Sequence, residues 1–170
     1  MSMIPDLVSI VTPAYKAAAY VTETIRSVQA QTYGNWEMLI VEDGSPDDTW
    51  KVVAEQAAAD PRVRLIRQDN AGPAMARQKA LDHAKGRYIA FLDSDDLWVP
   101  EKLDRQLAFM RERGAAFSFT AFRRITADGG ATGRLIEVPA EMTYRRLLGN
   151  TAIATSTVLI DREKTGPLAM

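Results

Sequence analysis

Cysteine is absent from this sequence of 170 residues, and histidine occurs once, at His83. The missing cysteine excludes disulfides, thiolate nucleophiles and cysteine-ligated metals. One histidine leaves little for a Ser-His-Asp hydrolase or a histidine-rich metal site. An excess of charge is also missing, because 21 basic and 22 acidic side chains leave a net charge of -1. We therefore expect no nucleic-acid partner.

Long apolar runs are missing as well. The first residues, MSMIPDLVSIV, lack a basic region followed by a long apolar segment, and no later run is long enough to span a bilayer. We expect a soluble chain in a reducing cytoplasm. The composition that remains, 46% hydrophobic and 25% charged, is typical of an ordinary globular protein, and no repeat or linker divides it. The sequence predicts one domain over residues 1–170.

Strand patterns alternate with helix patterns over the first hundred residues. Apolar runs of strand length lie at residues 7–11, 36–41, 63–66 and 88–92. Helices are predicted over residues 18–31, 47–59, 72–84 and 100–113. We expect Thr12 and Pro13 to end the first strand and Gly86 to end the third helix. This alternation predicts an α/β fold with a mostly parallel sheet and helices on both faces.

The pattern is looser after residue 113. Strands are predicted over residues 116–122, 135–138 and 157–160. Between them we predict a turn-rich connection over residues 127–133 and a short helix over residues 143–148.

Acidic residues come directly after two of the predicted strands, as Glu-Asp at 42–43 and Asp-Ser-Asp-Asp at 93–96. In the strand order 3-2-1-4, common in nucleotide-binding sheets, both segments meet residues 12–15 on one rim. Two carboxylates one residue apart can share a hard divalent cation on a diphosphate. The structural alternative is that Asp95 or Asp96 caps the following helix.

Other side chains fit the same ligand. Asp43 could accept hydrogen bonds from a nucleobase or ribose. Arg77, one helical turn after Gly72, could oppose phosphate charge, although an arginine on an amphipathic helix is more often solvated.

Several other site types are tested by the residues present. Neither G-x-G-x-x-G nor G-x-x-x-x-G-K-[ST] occurs, so a dinucleotide fold and a mononucleotide kinase are excluded. A calcium loop starting at Asp93 would need Gly and Glu where Trp98 and Asp104 stand. A D-x-D after a strand also resembles the aspartyl phosphatases of the haloacid dehalogenase type, where the motif follows the first strand. That alternative stays open.

Four motifs resemble those of family 2 glycosyltransferases with the GT-A fold. In the order and spacing of that family they are TPAY at 12–15, VEDGSPDDT at 41–49, NAGPAMARQKAL at 70–81 and GRYIAFLDSDDLWVPEKL at 86–103. Within the family, the chain is similar to bacterial transferases of cell-surface polysaccharide assembly, including those of teichuronic acid synthesis. The resemblance implies a Rossmann-like donor-binding half over residues 1–98. Residues 99–170 would begin an acceptor-binding half that is incomplete.

The resemblance also implies inverting transfer of a sugar from a nucleotide diphosphate sugar, commonly a UDP-sugar, to a glycan or lipid-linked acceptor. Asp95, with Asp93, would hold Mn²⁺ or Mg²⁺ as the D-x-D motif. The donor is expected to contact Thr12, Pro13, Ala14, Tyr15, Glu42, Asp43, Gly72, Arg77, Asp93 and Ser94. The chain would work in the cytoplasm, with peripheral association at the inner face of the cell membrane.

The resemblance assigns no catalytic base within the chain. The family supplies its base from an acidic motif some way after the strand that here lies near residues 154–160, and Asp161 and Glu163 come too early. We therefore expect the general base beyond Met170. A nucleotide-sugar binding module without turnover is the alternative.

Overall fold

The computed structural model describes residues 3–126, 130–143, 145–146 and 153–170. In these residues the strands are β1 (Ile4–Ala14), β2 (Trp36–Asp43), β3 (Val63–Gln68), β4 (Gly86–Phe91), β5 (Phe117–Ser118), β6 (Phe122–Ile125), β7 (Ala131–Ile136) and β8 (Leu159–Asp161). The helices are α1 (Val21–Gln29), α2 (Thr49–Ala59), α3 (Pro73–His83), α4 (Lys102–Arg113) and α5 (Arg162–Thr165), with a 3-10 turn at Thr155–Thr157.

Six strands form one sheet in the order β3-β2-β1-β4-β8-β5. The first four are parallel, and β8 runs antiparallel to both of its neighbours. The predicted order 3-2-1-4 is confirmed, and β8 continues the sheet beyond β4. Strands β6 and β7 form a separate antiparallel pair.

Side chains of β1 alternate between two apolar layers. Val8 and Ile10 lie in the larger layer with buried residues of α1, α2 and α4. Val11 lies in the smaller layer, where α3 contributes the small residues Ala76 and Ala80. Helices therefore cover both faces of the sheet, as the alternating pattern predicts.

The prediction that Thr12 and Pro13 end the first strand is wrong. β1 continues to Ala14, and Pro13 pairs with Val41 of β2. The Val11 carbonyl faces β4, where it accepts the Leu92 N–H (3.1 Å). The nitrogen of Pro13, two residues later, faces the same side, beyond the last β1–β4 pair. No ladder hydrogen bond is lost there, so proline is tolerated.

The role predicted for Gly86 is also wrong, because α3 ends at His83 and Gly86 begins β4. A Cβ atom at Gly86 would lie 2.4 Å from the Leu7 carbonyl oxygen. The Gly86 N–H donates to the Ser9 hydroxyl (2.8 Å). Glycine is required here by the close approach of β1 to β4 rather than by a helix end.

The strands predicted after α4 are only partly correct. The strand expected over residues 116–122 is divided into β5 and β6, and the one expected over residues 135–138 begins earlier, as β7. The last strand, β8, begins at Leu159, because the Thr157 N–H donates to the Ala154 carbonyl (3.0 Å) and closes a turn.

Two further predictions, the connection over residues 127–133 and the short helix over residues 143–148, lie partly outside the described residues. Within the second range, residues 145–146 are helical. Within the described part of the chain, every helix is too short or too polar to cross a bilayer.

Candidate functional site

A cleft of about 480 Å³ opens at the carboxyl ends of β1, β2 and β4. Its lining includes residues from the three segments 12–15, 42–45 and 93–95, so the predicted meeting of these segments on one rim is confirmed. The start of α3 forms the remaining wall. The lining residues are Pro13, Ala14, Tyr15, Asp43, Asn70, Gly72, Pro73, Arg77, Asp93, Ser94 and Asp95.

Asp43 organises one end of the cleft and is itself only 3% exposed. Its Oδ1 accepts hydrogen bonds from Gln68 Nε2 (2.7 Å) and the Ala71 N–H (2.9 Å). Its Oδ2 accepts the Gly72 N–H (2.9 Å), with Gly72 in the left-handed region at φ 87°. A carboxylate offers about four acceptor positions, so about one position on Oδ2 is left for a ligand. Asp43 thus shapes the loop before α3 as well as facing the cleft.

The loop after β1 is fixed by the segment between β2 and α2. The Ser45 hydroxyl accepts the Lys16 N–H (3.1 Å), and the Thr49 hydroxyl accepts the Ala17 N–H (2.9 Å). Lys16 has a positive φ of 53°, a strained conformation for a residue with a Cβ. These bonds hold the loop so that Tyr15, 46% exposed, projects at the rim of the cleft.

The other end of the cleft is charged. Arg77 donates to Asp93 Oδ1 (2.5 Å), and both side chains are largely shielded from solvent. The Asp95 side chain is exposed, and none of the described residues pairs with it. A guanidinium beside an unpaired carboxylate provides both a cation for phosphate and oxygen ligands for a metal.

Asp96, the next residue, does not line the cleft. Its carboxylate accepts a hydrogen bond from the Ser156 hydroxyl. Burial raises the pKa of Asp96, and the negative charges of Asp95 and Asp93 raise it further, against the lowering effect of Ser156. The capping alternative is wrong, because the N-cap of α4 is Glu101. In the first turn of α4, the Leu103 N–H donates to Gln31 Oε1 (3.0 Å) and not to an aspartate.

Two of the predicted donor contacts lie off the cleft wall. Thr12 is fully buried and pairs with Ile40, with its hydroxyl unpartnered inside the core. Glu42 is fully buried too, and its carboxylate accepts hydrogen bonds from the Ser45 N–H and from Arg67 Nε (3.3 Å). Glu42 therefore holds the turn after β2 and does not face a ligand in this structure.

The predicted set missed two residues of the lining, Asn70 and Pro73. Both stand inside the third sequence motif, so the signal was available. Asn70 Nδ2 donates to the Asp43 carbonyl (2.9 Å) and brings its side chain to the cleft. Nothing in the sequence around Ser156 indicates its contact with Asp96, because the two residues lie 60 positions apart in the chain.

The oxygen donors fit a divalent cation. None of the described residues bonds to either carboxylate oxygen of Asp95, or to Oδ2 of Asp93 beside the Arg77 pair. Among the described residues, no three acidic, histidine or cysteine side chains converge on one point. The protein would supply two carboxylates at most, with phosphate oxygens and water as the remaining ligands, an arrangement that Mg²⁺ and Mn²⁺ accept.

Solved structures with this architecture are GT-A glycosyltransferases. One is S. aureus TarS 1-349 in complex with UDP, with a TM-score of 0.71 and 24% identity over 93% of this chain and 48% of that chain. Another is a mannosyltransferase from Pyrobaculum calidifontis in complex with GDP-Man and Mn²⁺, with a TM-score of 0.70 and 19% identity over 94% of this chain and 46% of that chain. The chain has the GT-A fold.

The sequence places this fold in a family. The profile of Glycosyl transferase family 2 matches residues 9–164, so the chain belongs to that family. TuaG of Bacillus subtilis, assigned to teichuronic acid biosynthesis as a glycosyltransferase, is 46% identical over 96% of this chain. The Escherichia coli UDP-Glc:alpha-D-GlcNAc-diphosphoundecaprenol beta-1,3-glucosyltransferase WfgD is 39% identical, also over 96%. The chain spans 66% and 63% of the lengths of these two relatives.

Family membership shows that the alternative of a phosphatase of the haloacid dehalogenase type is wrong. The acidic motif follows β4, in the middle of the sheet order, and the whole matched region is that of a glycosyltransferase.

Proposed function

We propose that the cleft binds a nucleotide diphosphate sugar, most simply a UDP-sugar, and that the chain takes part in inverting transfer of the sugar to a glycan or lipid-linked acceptor. The observation that supports this best is the pairing of Arg77 with Asp93 beside the unpaired carboxylate of Asp95. Cation and carboxylates at one end of a cleft suit a metal-bound diphosphate. All eleven lining residues fall within residues 1–98, which supports that segment as the donor-binding half.

The two ends of the cleft would divide the donor between them. Tyr15 and Asn70 offer a ring and an amide to the nucleoside, and Asp43 offers its remaining acceptor position. Asp93 and Asp95 would hold Mn²⁺ or Mg²⁺, which would neutralise charge on the diphosphate when bound. Pro13, Ala14, Gly72 and Ser94 would complete the wall, while Thr12 and Glu42 act only through the shape of the rim.

In an inverting transfer, the acceptor hydroxyl attacks the anomeric carbon as the bond from that carbon to the diphosphate oxygen breaks. Negative charge grows on the departing diphosphate, and the Arg77 guanidinium lies where it can stabilise that charge. The proton of the acceptor hydroxyl passes to a general base. Asp43 and Asp93 are poor choices for that base, because three hydrogen bonds occupy the first and Arg77 pairs with the second.

The acceptor proposal rests on the relatives. WfgD is named for transfer to a diphosphoundecaprenol-linked sugar, and TuaG for teichuronic acid biosynthesis. We infer a lipid-linked or growing glycan acceptor, met at the inner face of the cell membrane by peripheral association.

Donor binding is tested by thermal unfolding with UDP, with Mn²⁺, and with both, on the parent chain and on Asp95→Asn. A ligand at a hundredfold over its dissociation constant stabilises a protein by about 2.7 kcal/mol. For a chain of this size, that corresponds to a rise in Tm of about 5–10 °C. We expect UDP and Mn²⁺ together to raise Tm by more than the sum of their separate effects, and Asp95→Asn to abolish the excess.

The matched control is Asp82→Asn, an exposed carboxylate on α3 outside the cleft. This variant should keep the full effect of UDP with Mn²⁺. A parent chain whose Tm responds to no nucleoside diphosphate with any divalent cation would contradict the proposal. Transfer itself is followed with UDP-sugars and a lipid-linked acceptor, with the anomeric configuration of the product read by NMR.

A further inference from the structure

One hydroxyl contacts both sides of the acidic motif. Ser156 lies in the 3-10 turn before β8 and is 9% exposed. Its Oγ accepts the Asp93 N–H (3.1 Å) and donates to the Asp96 carboxylate. Both hydrogen bonds of this hydroxyl therefore go to residues on either side of Asp95.

The rest of this loop is held by the same turn and by α1. The Ser156 carbonyl accepts the hydrogen bond of Trp98 Nε1 (2.8 Å). On the other side, Thr24 Oγ1 donates to the Ser94 carbonyl (2.9 Å). Ser156 thus makes three of these four contacts, and its hydroxyl alone makes the two that reach the aspartates.

These contacts sort three neighbouring carboxylates into different positions. Asp96 is bonded to Ser156 and does not line the cleft, whereas Asp93 and Asp95 do. The backbone of Asp93 is fixed by Ser156 and its side chain by Arg77. With the residues on both sides of it anchored, Asp95 has a defined place at the rim while its own carboxylate stays unpaired.

We infer that Ser156 is a positioning residue for the metal-diphosphate end of the cleft, which keeps Asp96 out of the cleft and sets the backbone from which Asp93 and Asp95 project. The inference rests on the proposed function, and it brings a residue of the second half of the chain into the donor site. Residues that orient metal ligands through hydrogen bonds typically affect metal affinity by about 10- to 100-fold when they are replaced.

The test is a titration of Mn²⁺ in the presence of saturating UDP, by isothermal calorimetry or by the EPR signal of free Mn²⁺. Ser156→Ala should weaken Mn²⁺ binding about tenfold. The matched control is Ser9→Ala, because Ser9 is a buried serine of β1 that lies outside the cleft lining. Its hydroxyl likewise accepts a backbone N–H, that of Gly86 (2.8 Å), and donates to a carboxylate, that of Glu37 (2.7 Å). Ser9→Ala should lower Tm without changing Mn²⁺ affinity.

A second variant tests the placement of Asp96 without a change in the buried turn. Because Asp96 is held away from the cleft, Asp96→Ala should weaken Mn²⁺ binding by no more than about tenfold, unlike the direct ligand variant Asp95→Asn. A loss in Asp96→Ala as complete as in Asp95→Asn would show that Asp96 is itself a ligand and would overturn the inference.

The outcomes separate the two proposals. If the parent chain binds UDP with Mn²⁺ and Ser156→Ala binds Mn²⁺ equally tightly, the role of Ser156 is refuted and the proposed function stands. Equal weakening in Ser156→Ala and Ser9→Ala would also refute it, since the effect would then follow from general loss of stability. If the parent chain binds neither UDP nor Mn²⁺, the proposed function fails and the inference fails with it.

Discussion

Lys102, the first residue of α4, is buried against Trp98 and offers a quantitative test of the packing there. The residue is 7% exposed, and its Nζ donates to Gln106 Oε1 (2.8 Å) and lies 4.1 Å from the centroid of the Trp98 ring. Burial lowers the pKa of Lys102 to about 7. The ammonium group is therefore costly to keep charged inside the fold.

The sign of the pH dependence follows from the two pKa values. An unfolded lysine has a pKa of about 10.4, so between about pH 7 and pH 10 the unfolded chain binds more protons than the folded chain. The free energy of unfolding contributed by Lys102 therefore rises with pH across this window. A pKa lowered from about 10.4 to about 7 corresponds to about 5 kcal/mol as an upper limit. The Trp98 ring favours the charged form by up to about 2 kcal/mol, so we expect a rise of about 3 kcal/mol.

Lys102→Met removes the titrating group and keeps an unbranched side chain. The stability of the variant relative to the parent should be about 3 kcal/mol higher at about pH 6.5 than at about pH 10. A constant offset is expected as well, because Gln106 Oε1 loses its donor, at a cost of about 1–3 kcal/mol. The change with pH, and not the offset, therefore reports the buried charge.

The assay is urea unfolding of both proteins at several pH values. Lys51→Met is the control, since the Lys51 side chain is 54% exposed and pairs with Asp48 at the surface. Its difference from the parent should stay constant within about 0.5 kcal/mol. A difference between Lys102→Met and the parent that does not change with pH would refute the argument, because Lys102 would then titrate alike in the folded and unfolded chains.

Two further substitutions test the sheet. Gly86→Ala should destabilise the fold by about 3 kcal/mol, because the new Cβ would lie 2.4 Å from a backbone oxygen of β1. The control Gly34→Ala, with no atom within 4 Å of its Cβ, should change stability by no more than about 0.5 kcal/mol. Urea unfolding measures both variants, and equal losses of stability would contradict the close-approach argument. Asp161→Asn should cost about 2–3 kcal/mol at pH 7, since it breaks the two-point pair of this 2% exposed carboxylate with Arg87 (2.9 and 2.7 Å). Burial raises the pKa of Asp161, but the hydrogen bonds from Arg87 outweigh this effect and hold that pKa below its usual value. The cost of Asp161→Asn should therefore shrink as the pH falls below about 4. A cost that does not change with pH in the same assay would exclude the ion pair as its cause.

Local sequence patterns were enough for the first hundred residues of the fold. The spacing of apolar residues predicted β1–β4 and α1–α4, because each of these elements buries one or both of its faces and its buried residues recur at regular intervals along the chain. The position of the acidic motif after the fourth strand, combined with the 3-2-1-4 order, predicted that Asp43, Arg77, Asp93 and Asp95 would line one cleft. Their roles in binding, and the position of the general base, stay predictions.

Contacts between distant segments decided the rest. Pro13 stays inside a strand because β4 has already stopped pairing beside it, and Gly86 is needed because β1 passes too close for a Cβ atom. Thr12 and Glu42 stand within motifs at the rim, yet pleating and pairing turn both away from the cleft. Ser156 reaches the acidic motif at residues 93–96 only because β8 is added beside β4, and no local spacing of residues predicts that pairing. Residue patterns report which face of an element is buried, whereas the distance between two side chains depends on how the elements are assembled.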